Sequence, residues 1–356
     1  MSTFVESFDA YNGLVANTGL LARWYNTLTA QSARQALVAG RFGVGQAYSA
    51  GAGSGGAVHQ TNCLLSDYTG NLFDVTAGFS MHVVLSPKSV TANGGECGFC
   101  LSNSSDIPQL GLRWLGNKWQ LVRWGAAAGG SPAAILWESA PIYTDTTPRH
   151  FQLKGIVHAT TGVANLKIDD VEVYSATGLN TGTGAIDRIA FCQGNLDALA
   201  GVTADDIVIQ NQSATYLPPL RIDPYAPNAD GGTLNLVPST GTTHYALVDE
   251  AQVATSDYLS GSVVGDHDLL GLPDMAVTPD QILGVNLVGF AAKTDVTARS
   301  WNLGCKSGST DSDGPALALA TSAGYYHRLL ETDPATAAAW LKAGFDGMQL
   351  KPRVAV

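Results

Sequence analysis

The chain has 356 residues, of which only 14% are charged, with 40 glycines, 15 prolines and a formal net charge of −11. That length accommodates two domains, each with a sizeable core, and the Gly/Pro-rich, weakly charged composition predicts a loop-rich β protein rather than a helical bundle. Nineteen Lys and Arg against 30 Asp and Glu argue against a nucleic-acid role, which needs concentrated cations, and no apolar run approaches the ~20 residues of a membrane span.

The chain opens on MSTFVESFDAYNG, with neither the basic region nor the apolar core of a signal peptide, which predicts synthesis in a cytoplasm. Five cysteines, Cys63, Cys97, Cys100, Cys192 and Cys305, leave at least one unpaired and fit a reducing compartment. Short apolar segments between Gly, Asn, Ser and Asp clusters predict strands at Phe4–Phe8, Arg41–Tyr48, Phe79–Leu85 and Gly98–Ser102. Gln109–Leu115 and Lys118–Trp124 flank Gly116-Asn117, a two-residue hairpin signal. Ile135–Glu138 follows. The run His150–Tyr174 then reads as three strands: Phe151, Leu153 and Val157 alternate with Gln152, Lys154 and His158. Ala164, Leu166 and Ile168 alternate with Asn165, Lys167 and Asp169. A Thr161-Gly162 turn and an Asp169-Asp170 turn join them. Arg188–Gln193 and Asp206–Gln210 close this region.

Pro218-Pro219 cannot continue a sheet ladder, which places a boundary after Leu217 and predicts domains at 1–217 and 218–356. In the second, Ile282–Lys293 predicts a strand buried on both faces, pairing with Thr297–Cys305 after a Thr294-Asp295 turn. Asp333 as N-cap and Pro334 at the first helical position predict a short helix over Pro334–Lys342 with Trp340 facing the core. Gly347–Val354 predicts a last strand.

Glu6-Ser7-Phe8-Asp9, the strand Phe79–Leu85, the central hairpin, the Thr161-Gly162/Asp169-Asp170 unit and the closing Asp205-Asp206-Ile207-Val208-Ile209 together resemble the concanavalin A-like lectin/glucanase (laminin G-like) jelly roll. The resemblance implies an all-β fold: a jelly-roll sandwich followed by a second, smaller β domain with one short C-terminal helix. Over the whole chain, SFDAY, DPYAPNADG, HYALVDE, SDYLSG and ETDPATAAAWLKAGFDGMQLKPRV resemble structural proteins of tailed bacteriophages. That implies a virion component, tail- or head-surface-associated, a virion location, and contacts with other virion proteins and with copies of itself.

Each candidate chemistry meets a plainer reading. Glycoside hydrolysis needs two carboxylates facing a sugar cleft, and glucanases of this fold carry them in a Glu-x-Asp-x-x-Glu run that is missing here. Asp169-Asp170 reads as a turn, and Asp205-Asp206, if in a strand, would point to opposite faces. Cys97-Gly98-Phe99-Cys100 is a lone CxxC whose sulfurs would also diverge. Asp311-Ser312-Asp313-Gly314 starts like a calcium loop without the closing glutamate. Gly43-Val44-Gly45 and Gly51–Gly56 precede no helix that could cradle phosphate, and no GxSxG elbow is present. Trp114, Trp119, Trp124 and Trp137 could stack on sugar rings, but core packing accounts for them more simply. The expectation is therefore no catalytic residue, no cofactor, no metal, and a non-enzymatic virion protein working through protein–protein contacts. The alternative is a carbohydrate-binding adhesin that recognises a host surface glycan.

Overall fold

The computed structural model of the chain describes residues 2–11, 25–26, 35–41, 46–51, 59–65, 72–87, 97–125, 132–141, 144–193, 201–211, 215–250 and 252–356. The chain divides into two compact units, one of Met1–Asp9 with Arg23–Asp223 and one of Ala10–Ala22 with Pro224–Val356. The first unit ends a few residues beyond the break expected at Leu217, because backbone groups of Leu217, Leu220 and Ile222 are hydrogen-bonded to side chains of that unit.

The first unit is the expected sandwich of two antiparallel sheets. One runs in the order Val171–Leu179, Gly162–Ile168, Arg149–Ile156, Phe79–Pro87, Gly201–Asn211, Gln46–Gly51, Gln35–Ala39, with Thr3–Glu6 also on Gly201–Asn211, making eight strands. The other has seven: Ala134–Glu138, Lys118–Arg123, Pro108–Leu115, Cys97–Asn103, Ile186–Gln193, His59–Leu64 and Tyr25–Asn26. Period-two alternation decides which side chains meet between the sheets. Phe191 lies 4.7 Å from Tyr48 and 5.1 Å from Phe99, ring centre to ring centre. Trp119 meets Phe151 at 4.6 Å and Trp114 at 5.1 Å. All of these rings are buried.

The turns follow the sequence closely. Gly116 and Asn117 have φ of 59° and 63°, and Asp169 and Asp170 of 50° and 66°. Two consecutive left-handed residues match the twist of a tight hairpin, and Gly, Asn and Asp tolerate that conformation best. The expected strand from Arg41 falls partly outside the described residues, as do Gly43–Gly45 and residues 52–56. The observed strand starts at Gln46 and runs past Tyr48 to Gly51, pairing with Gln35–Ala39.

The second unit departs from expectation at two points. Its largest sheet runs Ala229–Leu234, Asp268–Gly271, Gln349–Val354, Ser300–Ser307, Thr310–Ser312, with Leu317–Ala318 also on Ser300–Ser307. Val285–Ala291 pairs with Gly324–Leu330, not with the segment expected at Thr297–Cys305, and it is only half-buried. A Cβ on Gly289 would lie 2.4 Å from the ring of Trp301. The two segments therefore pack side chain onto backbone, a contact that edge-to-edge pairing would not make. The helix expected over Pro334–Lys342 is a turn: Asp333 accepts from the Ala335 N–H through Oδ1 and from the Ala337 N–H through its carbonyl. Ala337, at φ 54°, then reverses the chain. The helix forms later, over Lys342–Asp346. Trp340 is buried as expected, its Nε1–H donating to Leu330 O at 2.9 Å.

Candidate functional site

Sheet alternation leaves Arg113, Gln120 and Glu138 on the outer face of the seven-stranded sheet, away from Trp114, Trp119 and Leu121. The register places Arg113 opposite Gln120 and Gln120 opposite Glu138. Arg113 Nε donates to Gln120 Oε1 at 2.7 Å, and Gln120 Nε2 donates to Glu138 Oε2. Lys118 Nζ closes the row on Glu138 Oε1 at 2.6 Å. Arg113 and Gln120 are buried, whereas the Lys118 and Glu138 side chains are 33% and 36% exposed, so the row reaches solvent at the sheet's rim. Hydrogen bonds from Lys118 and Gln120 hold the Glu138 carboxyl below its ordinary range. Glu138 is thus an ionised acceptor at neutral pH and a poor proton donor.

The four tryptophans separate around this row. Trp114 and Trp119 are core. Trp124 is buried on the outer face with Cys100, Val122 and Ala190, its ring against Gly98. Trp137 precedes Glu138 on the edge strand and is partly exposed, but it pairs with Leu121 and so lies on the face away from Glu138.

A second polar group sits on the eight-stranded sheet. Asp205 and Asp206 do not diverge as an unbroken strand requires. A bulge opposite Val84 and His82, with Asp206 at φ 51°, turns both carboxylates to one residue, Arg41. The Arg41 N–H donates to Asp205 Oδ2 at 3.0 Å, and Arg41 Nη2 lies 3.2 Å from Asp206 Oδ2. Asp9 joins them, its Oδ1 accepting the Gln46 N–H at 2.6 Å while its buried Oδ2 has no partner among the described residues. Burial pushes the Asp9 carboxyl up to about 7, and burial with the Asp205 charge does the same for Asp206.

Two histidines adjoin this group. Leu220 N–H donates to His82 Nε2, which leaves His82 Nδ1 as the donor to Asp206 O at 3.0 Å. Arg41 Nη1 lies 2.8 Å from His150 Nε2, so His150 Nδ1 donates to His82 Nε2 at 3.2 Å. Burial lowers both imidazoles, His82 to about 3. With the histidines neutral and the Asp9 and Asp206 carboxyls raised to about 7, this group is an internal hydrogen-bond network.

The remaining sequence candidates resolve singly. Asp169 accepts the His150 N–H at 2.9 Å in its turn. Cys100 is a buried free thiol, and the side chain of Cys97 lies outside the described residues. Asp311 and Asp313 are held by Lys351, Nζ at 3.0 and 2.8 Å, with Arg353 also on Asp313, so protein cations occupy the loop that resembled a calcium site. Among the described residues no group of three or more His, Cys, Asp or Glu is placed to hold a metal ion, and no helix is long and apolar enough to cross a membrane.

No family model and no curated protein matches the chain. Among solved structures it is similar to an endo-1,3-β-glucanase from Streptomyces sioyaensis (12% identity, 59% of this chain, 96% of that one, TM-score 0.41). The carbohydrate recognition domain of Emp47p is also similar (10%, 58%, 96%, 0.36). So is a carbohydrate esterase from the Shiga toxin-encoding bacteriophage phi24B (13%, 59%, 100%, 0.37). At these identities the likeness bears on fold alone. It corrects one expectation: chains similar to this one include a glucanase and an esterase, so the sequence-based exclusion of an enzyme is withdrawn.

Proposed function

We propose that the first unit recognises carbohydrate at the rim of its seven-stranded sheet, and that the chain does so as a component of a tailed-phage or phage-derived particle. The observation that supports recognition is the row Arg113–Gln120–Glu138–Lys118 ending at solvent on the edge strand. Sugar hydroxyls both donate and accept. A fixed carboxylate and an ammonium at the rim of the sheet supply the polar contacts. The buried Arg113–Gln120 end holds Glu138 in place, which reduces the ordering cost of binding.

The particle assignment rests on the sequence resemblance to phage structural proteins. In the virion the chain contacts other virion proteins and copies of itself, the latter in closed symmetry that reuses one interface.

A glycan array tests the first reading. The protein binds a defined glycan class, and Lys118→Met and Glu138→Gln each weaken that binding at least about tenfold with the melting temperature retained. An array with no specific signal refutes recognition. Antibody against the chain should label intact particles, and washing at about 1 M salt should not remove it, since so weakly charged a chain has few ion pairs to screen. Absence from purified particles refutes the particle assignment while leaving glycan recognition standing.

A further inference from the structure

The segment Tyr216–Ile222 lies on the outer face of the eight-stranded sheet, and its partners come from five strands in their spatial order. The Tyr216 hydroxyl donates to Glu172 Oε2 at 3.1 Å, and the ammonium groups of Lys167 and Lys154 lie over its ring, each 4.6 Å from the ring centre. Gln152 Nε2 donates to Leu217 O at 2.6 Å, and the Leu217 N–H donates to Ser80 Oγ at 2.9 Å. The Leu220 N–H reaches His82 Nε2 at 3.3 Å, and the Ile222 N–H reaches Asp206 Oδ1 at 2.8 Å.

Four inter-strand steps of ~4.8 Å make ~19 Å, close to the ~20 Å that six residue steps cover when extended. The segment therefore crosses the sheet nearly straight. Pro218 and Pro219 hold part of it in an extended form before it docks. Gln152, Ser80, His82 and Asp206 are buried with the segment in place, so its backbone meets polar groups shielded from water. One acceptor is left over: Gln152 Oε1 is buried with no partner among the described residues, and the two prolines have no N–H to offer it.

We propose that this face is a peptide-binding site for an extended, diproline-containing segment with a tyrosine two residues before the prolines, and that Tyr216–Ile222 is its ligand held in cis. Recognition divides in two: the lysine pair reads the aromatic ring, and Gln152, Ser80, His82 and Asp206 read the backbone. None of these contacts requires the ligand to belong to the same chain, so the corresponding segment of a second copy fits equally. The proposal is independent of carbohydrate recognition, which uses the other sheet.

The test uses the full chain with residues 215–222 replaced by glycine and serine, and a labelled synthetic peptide of residues 213–223, SATYLPPLRID. The peptide should bind the replaced chain saturably at one per chain and should not bind the wild type, whose site is filled. A peptide with alanine in place of its tyrosine should bind about tenfold more weakly. A folded replaced chain that takes up no peptide overturns the proposal, as does equal binding to the wild type. If the replaced chain does not fold, tryptic cleavage after Arg221 decides in the full-length single variants Tyr216→Ala and Gln152→Ala. Cleavage about tenfold faster than wild type at an unchanged melting temperature supports the docked segment. An unchanged rate overturns it.

Discussion

Replacing Asp9 by asparagine should stabilise the protein progressively as pH rises, and the size of the effect follows from where the carboxyl sits. Asp9 is buried beside Asp205 and Glu6, and its pKa is raised from 3.8 to about 7. A group whose folded-state pKa lies above its unfolded value contributes stability that is fully present below the unfolded pKa. That contribution is lost as pH rises through the folded pKa. Between pH 5 and 8 the loss is roughly two pKa units, or about 2.7 kcal/mol as an upper bound. Asp206 also rises to about 7 under the influence of Asp205, so relief at one carboxyl is shared through the cluster. Relaxation and coupling bring the expected gain for Asp9→Asn nearer to about 1.5 kcal/mol, or about 3–6 °C in Tm for a domain of this size.

The difference between variant and wild type is the quantity to measure, because the histidines act in the opposite direction. His82 and His150 are depressed in the folded protein, so the unfolded chain binds their protons first and stability rises with pH up to about 6.5. Wild type alone therefore shows a shallow profile from pH 5 to 6.5 and a decline above it. Subtracting it from Asp9→Asn cancels the histidines. The asparagine Oδ1 can still accept the Gln46 N–H, and its amide can face the Asp205 carboxylate. Denaturant unfolding at half-unit steps from pH 5 to 8 should give a difference that climbs up to about pH 7 and then levels off. A flat or falling difference would refute the assignment of Asp9 as the buried, proton-holding carboxyl.

Much of the first unit is legible in the sequence because its determinants are local. Gly116-Asn117 and Asp169-Asp170 name their own turns, and alternation around them sets which face is buried. The candidate row is partly within the same reach. A two-residue turn at Gly116-Asn117 pairs Leu115 with Lys118, hence Arg113 with Gln120, and both alternate with core tryptophans. Glu138 cannot be placed this way, since residues 126–131 intervene before its strand. The Asp205-Asp206 site escapes a period of two because that period breaks at a bulge, and only the strand partner reveals the bulge. The second unit is harder for the same reason: Val285–Ala291 chooses Gly324–Leu330 over a nearer segment, and the packing of Trp301 on Gly289 that accompanies this choice is not encoded locally. Pro218-Pro219 signals that no ladder continues there. It is silent about the sheet face that receives the segment, because the receiving groups are spread from Ser80 to Asp206.

Three further outcomes test the packing. Trp119→Ala should cost about 3–5 kcal/mol, seen as a large fall in the denaturant midpoint, because its ring is fully buried between Trp114 and Phe151. Lys351→Met should destabilise by about 1–2 kcal/mol at neutral pH, less than a fully buried pair because Asp311 and Asp313 are partly exposed. That penalty should shrink only in strong acid, because, against its partial burial, Lys351 and Arg353 hold the Asp313 carboxyl below its ordinary range. The sharpest is Gly289→Ala. A methyl group there would lie 2.4 Å from the Trp301 ring and 3.2 Å from a Leu303 methyl, too close for either to stay in place. Overpacking of this kind costs about 1–3 kcal/mol. At Gly232, in the same unit, an added methyl group would meet nothing within 4 Å, so Gly232→Ala is the matched control and should be near neutral. The Trp301 fluorescence maximum should also shift in Gly289→Ala as the ring is displaced, and the control should leave it unmoved. If both alanine variants melt together with wild type and leave the fluorescence alone, Trp301 does not pack on Gly289, and the physical reason given for the pairing of Val285–Ala291 fails with it.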